Sequence, residues 1–245
     1  MISQVLTKYT RENRFDFLEG VLILVDKPVE WTSFDVVNKI RFKLRYALGV
    51  KKIKVGHAGT LDPLATGLLL VCTGKYTKLL DELQGMSKVY SGVIQLGATT
   101  PTYDQESEPD KFYPVDHITS EDIQKVALQY TGSYPQLPPI YSAIKMKGQK
   151  LYQLARRGVD VELKPRQVII HEFVSEVMED HQIGFTVNCG KGTYIRSLAH
   201  DVGKSLGSGA YLAKLRRESI GNYQVSQAMN LDEILNCIQD QVPSA

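Results

Sequence analysis

Residues 55–67 read Val-Gly-His-Ala-Gly-Thr-Leu-Asp-Pro-Leu-Ala-Thr-Gly, and the rest of the sequence is organised around this stretch. An apolar run at 68–72 follows it directly. Such a run is typical of a buried strand. Asp62 precedes a proline, which favours an extended or turn conformation, and the glycines permit close backbone approaches. One carboxylate is therefore predicted in a constrained loop, a position in which it could take part in catalysis. An ordinary turn is the alternative interpretation.

The flanking sequence predicts a mixed α/β or α+β domain with a central sheet and flanking helices. Apolar or alternating runs predict strands at 20–25, 89–96, 168–170, 173–177 and 183–189. Capping and periodicity predict helices that begin near Thr32 or Ser33, near Thr119, after residues 190–193 and at Asn230.

Composition narrows the class of protein. The chain has 245 residues and a formal net charge of only +2, so a nucleic-acid site would have to come from local clusters of cations. Three cysteines, at 72, 189 and 237, form no C-x-x-C pair, and five histidines are scattered. We therefore expect no structural metal. No apolar stretch is long enough for a membrane span and no signal peptide is present, which predicts a cytoplasmic protein.

Cations cluster in three places. Three of the four residues 51–54 are lysines, Arg216 and Arg217 are adjacent, and cations alternate with tyrosines over residues 136–158. Ordinary solvated surface is one interpretation, and a loop that grips a polyanion is the other. A further cation, Arg196, falls in the first turn of a predicted helix, where the helix dipole disfavours it. A carboxylate partner or a bound phosphate would offset the unfavourable interaction between Arg196 and the helix dipole.

Several chemistries do not fit. The scattered histidines do not favour a metal hydrolase, and the G-x-S-x-G motif of a serine hydrolase is missing from the sequence. A glycosidase needs two carboxylates; only Asp62 lies in a suitable loop, although folding could bring Asp26 or Asp104 near it. A lone aspartate nucleophile with basic segments points to chemistry on a base of a nucleic acid, which requires the base to leave its stack.

Six segments, in order, resemble one family, the bacterial tRNA pseudouridine synthases of the TruB type. They lie at residues 20–33, 56–67, 88–104, 138–152, 189–198 and 215–217. The resemblance implies a largely antiparallel sheet of the pseudouridine synthase fold. It also implies isomerisation of uridine 55 in the T loop of tRNA, with no cofactor or metal.

The resemblance also implies roles for individual residues. Asp62 matches the nucleophile that attacks the flipped uridine, Tyr90 the tyrosine that stacks on the base and moves a proton, and Arg196 the arginine that pairs with the catalytic carboxylate. Five further positions match substrate-binding residues: His57, Lys27, Tyr194, Leu198 and Lys145. Structural alternatives remain, because Tyr90 on a strand can serve packing, His57 can cap a turn, and Arg196 can form a surface ion pair.

The domain organisation follows from the same match. We predict a lead-in at 1–19, a catalytic domain at 20–229 with an RNA-gripping loop at about 136–158, and a short helical tail at 230–245. The family often adds an RNA-binding domain of the PUA type, for which the tail is too short, so contacts to the acceptor arm are expected to be reduced or to be supplied by the catalytic domain. Glu30 stands where the family usually has glycine.

The resemblance also predicts a binding partner and an oligomeric state. The predicted partner is the T stem-loop of tRNA, the protein is expected to be a monomer, and no membrane is expected. Two other functions remain open: an RNA-folding factor that opens and re-anneals the tRNA elbow, and a glycosylase that releases free uracil.

Overall fold

The computed structural model of this chain describes residues 2–142, 145–146, 149–151, 157 and 163–241. Within them the strands are β1 (Val5–Leu6), β2 (Leu22–Lys27), β3 (Val55–Ala58), β4 (Thr66–Thr73), β5 (Lys88–Leu96), β6 (Ala98–Thr99), β7 (Lys111–Phe112), β8 (Gly132–Gln136), β9 (Lys145–Met146), β10 (Gln149–Lys150), β11 (Arg166–Val177), β12 (Gln182–Cys189), β13 (Ala210–Ile220) and β14 (Tyr223–Gln224). The α-helices are α1 (Ser33–Ala47), α2 (Leu80–Gly85), α3 (Ser120–Tyr130), α4 (Ile195–Ser205) and α5 (Leu231–Asp240), and 3₁₀ turns lie at Gly74–Leu79 and Val225–Gln227.

The first of two compact units comprises Met1–Tyr90 and Arg216–Ala245. Its sheet has the order β1-β2-β4-β13, in which β2 is antiparallel to β4, while β13 joins β4 in parallel. Strand β3 pairs with β4 as well. Strands β2 and β4 are buried on both faces, as their apolar sequences predict. Helices α1 and α5 contribute to the core on one face; the apolar residues of that core include Ile23, Val25, Val36, Ile40, Leu44, Leu69, Val71, Ile234 and Ile238.

The second unit is Ser91–Leu215. Here β8, β11 and β12 form antiparallel neighbours, with Val168 opposite Tyr134 and Phe173 opposite Val187. The sequence predicts two strands, 168–170 and 173–177; the structure has one strand, β11, whose register shifts between Ile170 and Glu172. An irregularity of this kind interrupts the alternation of buried and exposed residues, and so divides the sequence signal into two.

Three helix starts predicted from the sequence are confirmed. Thr32, Thr119 and Asn230 are N-caps. The side chain of each accepts a hydrogen bond from the backbone amide three residues later, and its own backbone amide donates to the acidic side chain of that later residue. The α/β fold class, with a large and mostly antiparallel sheet, is confirmed. Helix α5 lies in the predicted tail, but the division at 19 and 229 stays a prediction. Among the described helices, none has the length and apolar character needed to span a membrane.

Candidate active site

The loop that carries Asp62 connects β3 to β4 in the first unit; we call residues 59–65 the Asp62 loop. Its entry strand pairs with β4 from Val55 opposite Thr73 to Ala58 opposite Leu70. At the exit Gly67 has φ 100°, and a β-carbon there would lie 2.4 Å from the carbonyl oxygen of Arg217. Only glycine therefore permits this approach between β4 and β13. Within the loop, the Ala65 amide donates to the Asp62 carbonyl at 3.1 Å.

Two buried cations hold this loop. Lys27 is fully buried, and its Nζ donates to the carbonyl oxygens of Pro28 at 2.8 Å, Trp31 at 2.5 Å and Pro63 at 3.3 Å. The guanidinium of Arg217, 1% exposed, donates from Nε to the Leu68 carbonyl at 2.7 Å and from Nη2 to the Gly59 carbonyl at 3.2 Å. The backbone on both sides of Asp62 is therefore bonded to a positive charge.

A third contact comes from Ser33 in the first turn of α1. Its Oγ accepts a hydrogen bond from the Leu61 amide at 2.8 Å and donates to the Leu61 carbonyl at 3.1 Å. Both residues are buried. The residue immediately before Asp62 is thus tied through both of its backbone polar groups to a capped helix.

The charges of this cluster affect one another. Burial lowers the pKa of Lys27 to about 8; the nearby Asp62 carboxylate opposes that shift and the Arg217 guanidinium adds to it. At neutral pH Lys27 is therefore mostly charged. The charge of Lys27 in turn favours the ionised form of the Asp62 carboxylate, which is the nucleophilic form.

His57, Tyr90 and Lys88 belong to the same unit. Burial lowers the pKa of His57, so its ring is neutral at pH 7, and its Nδ1 has no hydrogen-bond partner among the described residues. Tyr90 is 7% exposed on β5. Lys88, two residues earlier on the same strand, donates to the carbonyls of Gln84 at 2.9 Å and Met86 at 2.6 Å.

The turn before α1 also contacts the Asp62 loop. The Glu30 amide donates to the Pro63 carbonyl at 2.9 Å, and Glu30 has φ 67°. Glycine adopts that conformation readily, and glycine is the residue that the family resembled by this sequence usually has at this position. The turn therefore keeps a glycine-like backbone despite the substitution, at a conformational cost of about 1 kcal/mol or more.

Asp26, which the sequence left as a possible second carboxylate, has a partner of its own. Arg216 binds it through two parallel bonds, at 2.7 and 3.1 Å. The ion pair raises the pKa of Arg216. Such a bidentate pair holds the Asp26 carboxylate in a fixed position.

The second unit positions Arg196, Tyr194 and Leu198 around the start of α4. Arg196 is buried; its Nη1 donates to the Thr102 carbonyl at 3.0 Å and its Nη2 to the Tyr141 carbonyl at 2.9 Å. Its Nε lies 3.6 Å from a carboxylate oxygen of Asp104, which is buried as well. The structure thus supplies the kind of partner expected for a cation in the first turn of a helix.

Tyr194 precedes this helix as its N-cap, and the Gln136 side chain bonds to both its amide and its carbonyl, at 2.8 and 3.0 Å. Leu198 is 1% exposed and packs in the core. Lys145 lies on β9, and its side chain is outside the described residues. Of the predicted loop 136–158, residues 143–144, 147–148, 152–156 and 158 are outside them too.

The structure thus brings Asp62, Lys27, His57 and Tyr90 into one unit and Arg196, Tyr194 and Leu198 into the other. Sequence reasoning missed Ser33 and Arg217 as holders of the Asp62 loop, because nothing local marks a buried arginine. Among the described residues, no three His, Cys, Asp or Glu side chains cluster so as to hold a metal ion.

Comparisons with known proteins extend over most of the chain. The family model "TruB family pseudouridylate synthase (N terminal domain)" matches residues 45–195, and "tRNA pseudouridylate synthase B C-terminal domain" matches 196–243. A protein named tRNA pseudouridine synthase B from Flavobacterium johnsoniae is 50% identical over 217 residues, which are 88% of this chain and 95% of that protein. A protein of the same name from Parabacteroides distasonis is 48% identical over 227 residues, covering 93% and 97%.

Solved structures share the fold. A chain of "Crystal Structure of a Cbf5-Nop10-Gar1 Complex" matches with a TM-score of 0.67 and 27% identity over 90% of this chain; the match spans 54% of that chain's length. A chain of "Structure of H/ACA RNP bound to a substrate RNA containing 2'-deoxyuridine" matches with a TM-score of 0.64 over 94% of this chain and 61% of the other. At 23% identity the second similarity shows the fold alone.

Proposed function

Because this chain belongs to the TruB family of pseudouridylate synthases, we propose that it isomerises uridine 55 in the T loop of tRNA, with the Asp62 carboxylate as the nucleophile. Pseudouridine synthesis in tRNA follows from family membership and from relatives about half identical over nearly their whole length. The choice of uridine, the nucleophile and the roles of the other residues are our proposal.

One observation carries the choice of Asp62: the loop around it is fixed by buried side chains on both sides. Lys27 holds Pro63, Ser33 holds Leu61 and Arg217 holds Gly59. A nucleophile gains most from a backbone that is already in place before the substrate arrives. The charge of Lys27 also favours the ionised carboxylate, so no separate base is needed to activate it.

The proposed reaction conserves all atoms of the substrate. The uridine leaves its stack, and the carboxylate attacks an electrophilic carbon of the nucleoside. The bond from N1 of uracil to C1′ of ribose breaks, the base turns, and a bond from C5 to C1′ forms. The bond between the carboxylate and the nucleoside breaks as well, which restores the free Asp62 carboxylate. The proton on C5 leaves and N1 gains one, so no co-reactant is consumed. Tyr90 is proposed to stack on the base and to move a proton in this last step.

The remaining site residues receive roles that fit their surroundings. Arg196 is proposed to pair with the Asp62 carboxylate, and its guanidinium is already aligned by two carbonyls and by Asp104. The neutral ring of His57 suits stacking within the T loop. Since the ammonium of Lys27 is bonded to three carbonyls, we propose that it acts on the RNA through the Asp62 loop.

Tyr194, Leu198 and Lys145 are proposed as further substrate-binding positions. The partner is then the T stem-loop of tRNA, bound by a monomer. Sedimentation of the protein with and without one equivalent of tRNA checks that stoichiometry. A tRNA substrate also favours a cytoplasmic location.

The test is a map of modified uridines. An unmodified tRNA transcript incubated with the protein is expected to gain pseudouridine at position 55, and Asp62→Asn is expected to abolish the product. Asp81→Asn, on the exposed surface of α2, is the matched control and should keep the wild-type rate. Release of free uracil would instead indicate a glycosylase, and an active Asp62→Asn variant would remove Asp62 from the mechanism.

A further inference from the structure

Positive charge is concentrated in α1 and the segment that follows it. Residues 33–54 contain seven cations and one carboxylate, a net +6, whereas the whole chain is +2, so the rest of the chain carries −4. Two of the seven are used within the fold: Arg41 bonds to the Val55 carbonyl and Lys43 to the Gln239 side chain. The others, Lys39, Arg45, Lys51, Lys52 and Lys54, are exposed.

Large aromatic side chains are exposed among these cations. Phe42 is 70% exposed and Tyr46 77% exposed, although the opposite face of α1 packs into the core. The two are four residues apart, so they are neighbours on the helix surface, and Lys39 and Arg45 lie three residues before and after Phe42. Neither aromatic ring therefore contributes to the packing of α1 against the core.

We propose that this α1 face, consisting of Lys39, Phe42, Arg45 and Tyr46 with Lys51 and Lys52 beyond the helix, binds unpaired nucleotides of the RNA substrate. Aromatic rings between cations are the surface that single-stranded nucleic acid requires: bases stack on the rings, and phosphates pair with the charges. The local charge of +6 favours a polyanion over a second copy of the chain, whose α1 face would carry the same charge.

The position of α1 relative to the Asp62 loop supports RNA as the occupant. Ser33, at the start of the helix, bonds to Leu61 in that loop. Phe42 follows nine residues later, about 14 Å along the helix axis, and Tyr46 about 20 Å. An RNA whose uridine reaches Asp62 thus has a second contact region within the same unit. This inference rests on the proposed function only in that the ligand is tRNA.

Binding measurements test the proposal independently of catalysis. The Kd of an unmodified tRNA transcript is measured by filter binding at several salt concentrations, with Asp62→Asn present in every variant so that no turnover occurs. Replacing both Phe42→Ser and Tyr46→Ser is expected to weaken binding about ten-fold or more. Replacing Lys51→Gln and Lys52→Gln is expected to reduce the slope of log Kd against log salt by about 1 to 2.

Phe112→Ser is the matched control. Phe112 is 80% exposed on β7 and follows the acidic segment 104–110, so its replacement should leave the Kd unchanged. An unchanged Kd in both the aromatic and the lysine variants would overturn the proposal. So would a wild-type dimer in sedimentation that Phe42→Ser dissociates, because a second copy would then be the occupant. Failure of the uridine-55 assignment would appear in the product map and leave these Kd values as they are.

Discussion

Ser33→Ala is the substitution that most sharply tests how the Asp62 loop is held. It removes a single hydroxyl group that both accepts from the Leu61 amide and donates to the Leu61 carbonyl. The side chain becomes smaller by one oxygen, and the capping residues of α1, Thr32 and Asp35, are untouched. Any effect therefore comes from the two backbone groups next to Asp62.

The expected magnitude follows from burial. Ser33 and Leu61 are 1% and 3% exposed, so water cannot replace the lost bonds without a rearrangement of the loop. Each bond contributes about 1 kcal/mol, and a buried group left unsatisfied costs about 1–3 kcal/mol. The free energy of unfolding should fall by about 2–4 kcal/mol, which lowers Tm by about 5–15 °C in a chain of this size. A shift of Asp62 by about 1 Å should also reduce kcat about 100-fold.

Two assays separate these effects. Urea unfolding gives the stability, and single-turnover pseudouridine formation at saturating tRNA, well below the variant's Tm, gives the rate. Ser33→Thr keeps the hydroxyl and should recover most of the rate, while Ser208→Ala, which loses one 3.4 Å bond at a buried serine of the other unit, should leave the rate unchanged. A destabilised Ser33→Ala variant with wild-type kcat would refute the positioning role, and unchanged stability would refute the two hydrogen bonds.

Lys27, Arg217 and Asp104 provide three further tests. As the pH rises through about 8, kcat/KM should fall because Lys27 loses the proton and the charge with which its ammonium holds the Pro63 carbonyl of the Asp62 loop; the pH–rate profile of Lys27→Met should lack that step. Between pH 8 and 10.5 the unfolded state retains the Lys27 proton that the folded state has released, so unfolding free energies should rise relative to Lys27→Met by up to about 1.4 kcal/mol per pH unit. Arg217→Met leaves the buried Leu68 carbonyl and the partly buried Gly59 carbonyl without their donor and should cost about 3–5 kcal/mol in urea unfolding, and Arg217→Lys should recover little, because an ammonium cannot reproduce two directed bonds. Asp104→Asn removes the carboxylate beside the buried Arg196 and should cost about 3 kcal/mol, measured as a lower Tm in thermal unfolding; an unchanged Tm would contradict a stabilising pair.

The sequence predicted those parts of the fold whose signal is local. Thr32, Thr119 and Asn230 mark helix starts because a cap needs only residues within one turn. The apolar sequences of β2 and β4 mark strands buried on both faces. The sequence of β13, with its adjacent arginines, has no such signal, and no strand was predicted there. Its position in the sheet depends on pairing with β4, about 150 residues away in sequence.

In the candidate site, too, only residues with a local sequence signal could be predicted. Asp62 stands out in the sequence because of its own glycines and proline. Arg217 does not, since its burial follows from carbonyls 149 and 158 residues distant. For Arg196, the helix dipole predicted a carboxylate partner or a bound phosphate, and only the folded chain shows that Asp104 is adjacent. Residue chemistry could be predicted from the sequence, and the identity of each partner could not.

The central claim is that Asp62 is the nucleophile acting on one uridine of the T loop. The most direct measurement is a site-resolved map of pseudouridine in an unmodified tRNA transcript after incubation with the wild type and with Asp62→Asn. We expect pseudouridine at position 55 with the wild type and no product with the variant, whose fold and tRNA Kd are retained. Pseudouridine at position 55 formed by Asp62→Asn at the wild-type rate would contradict the account.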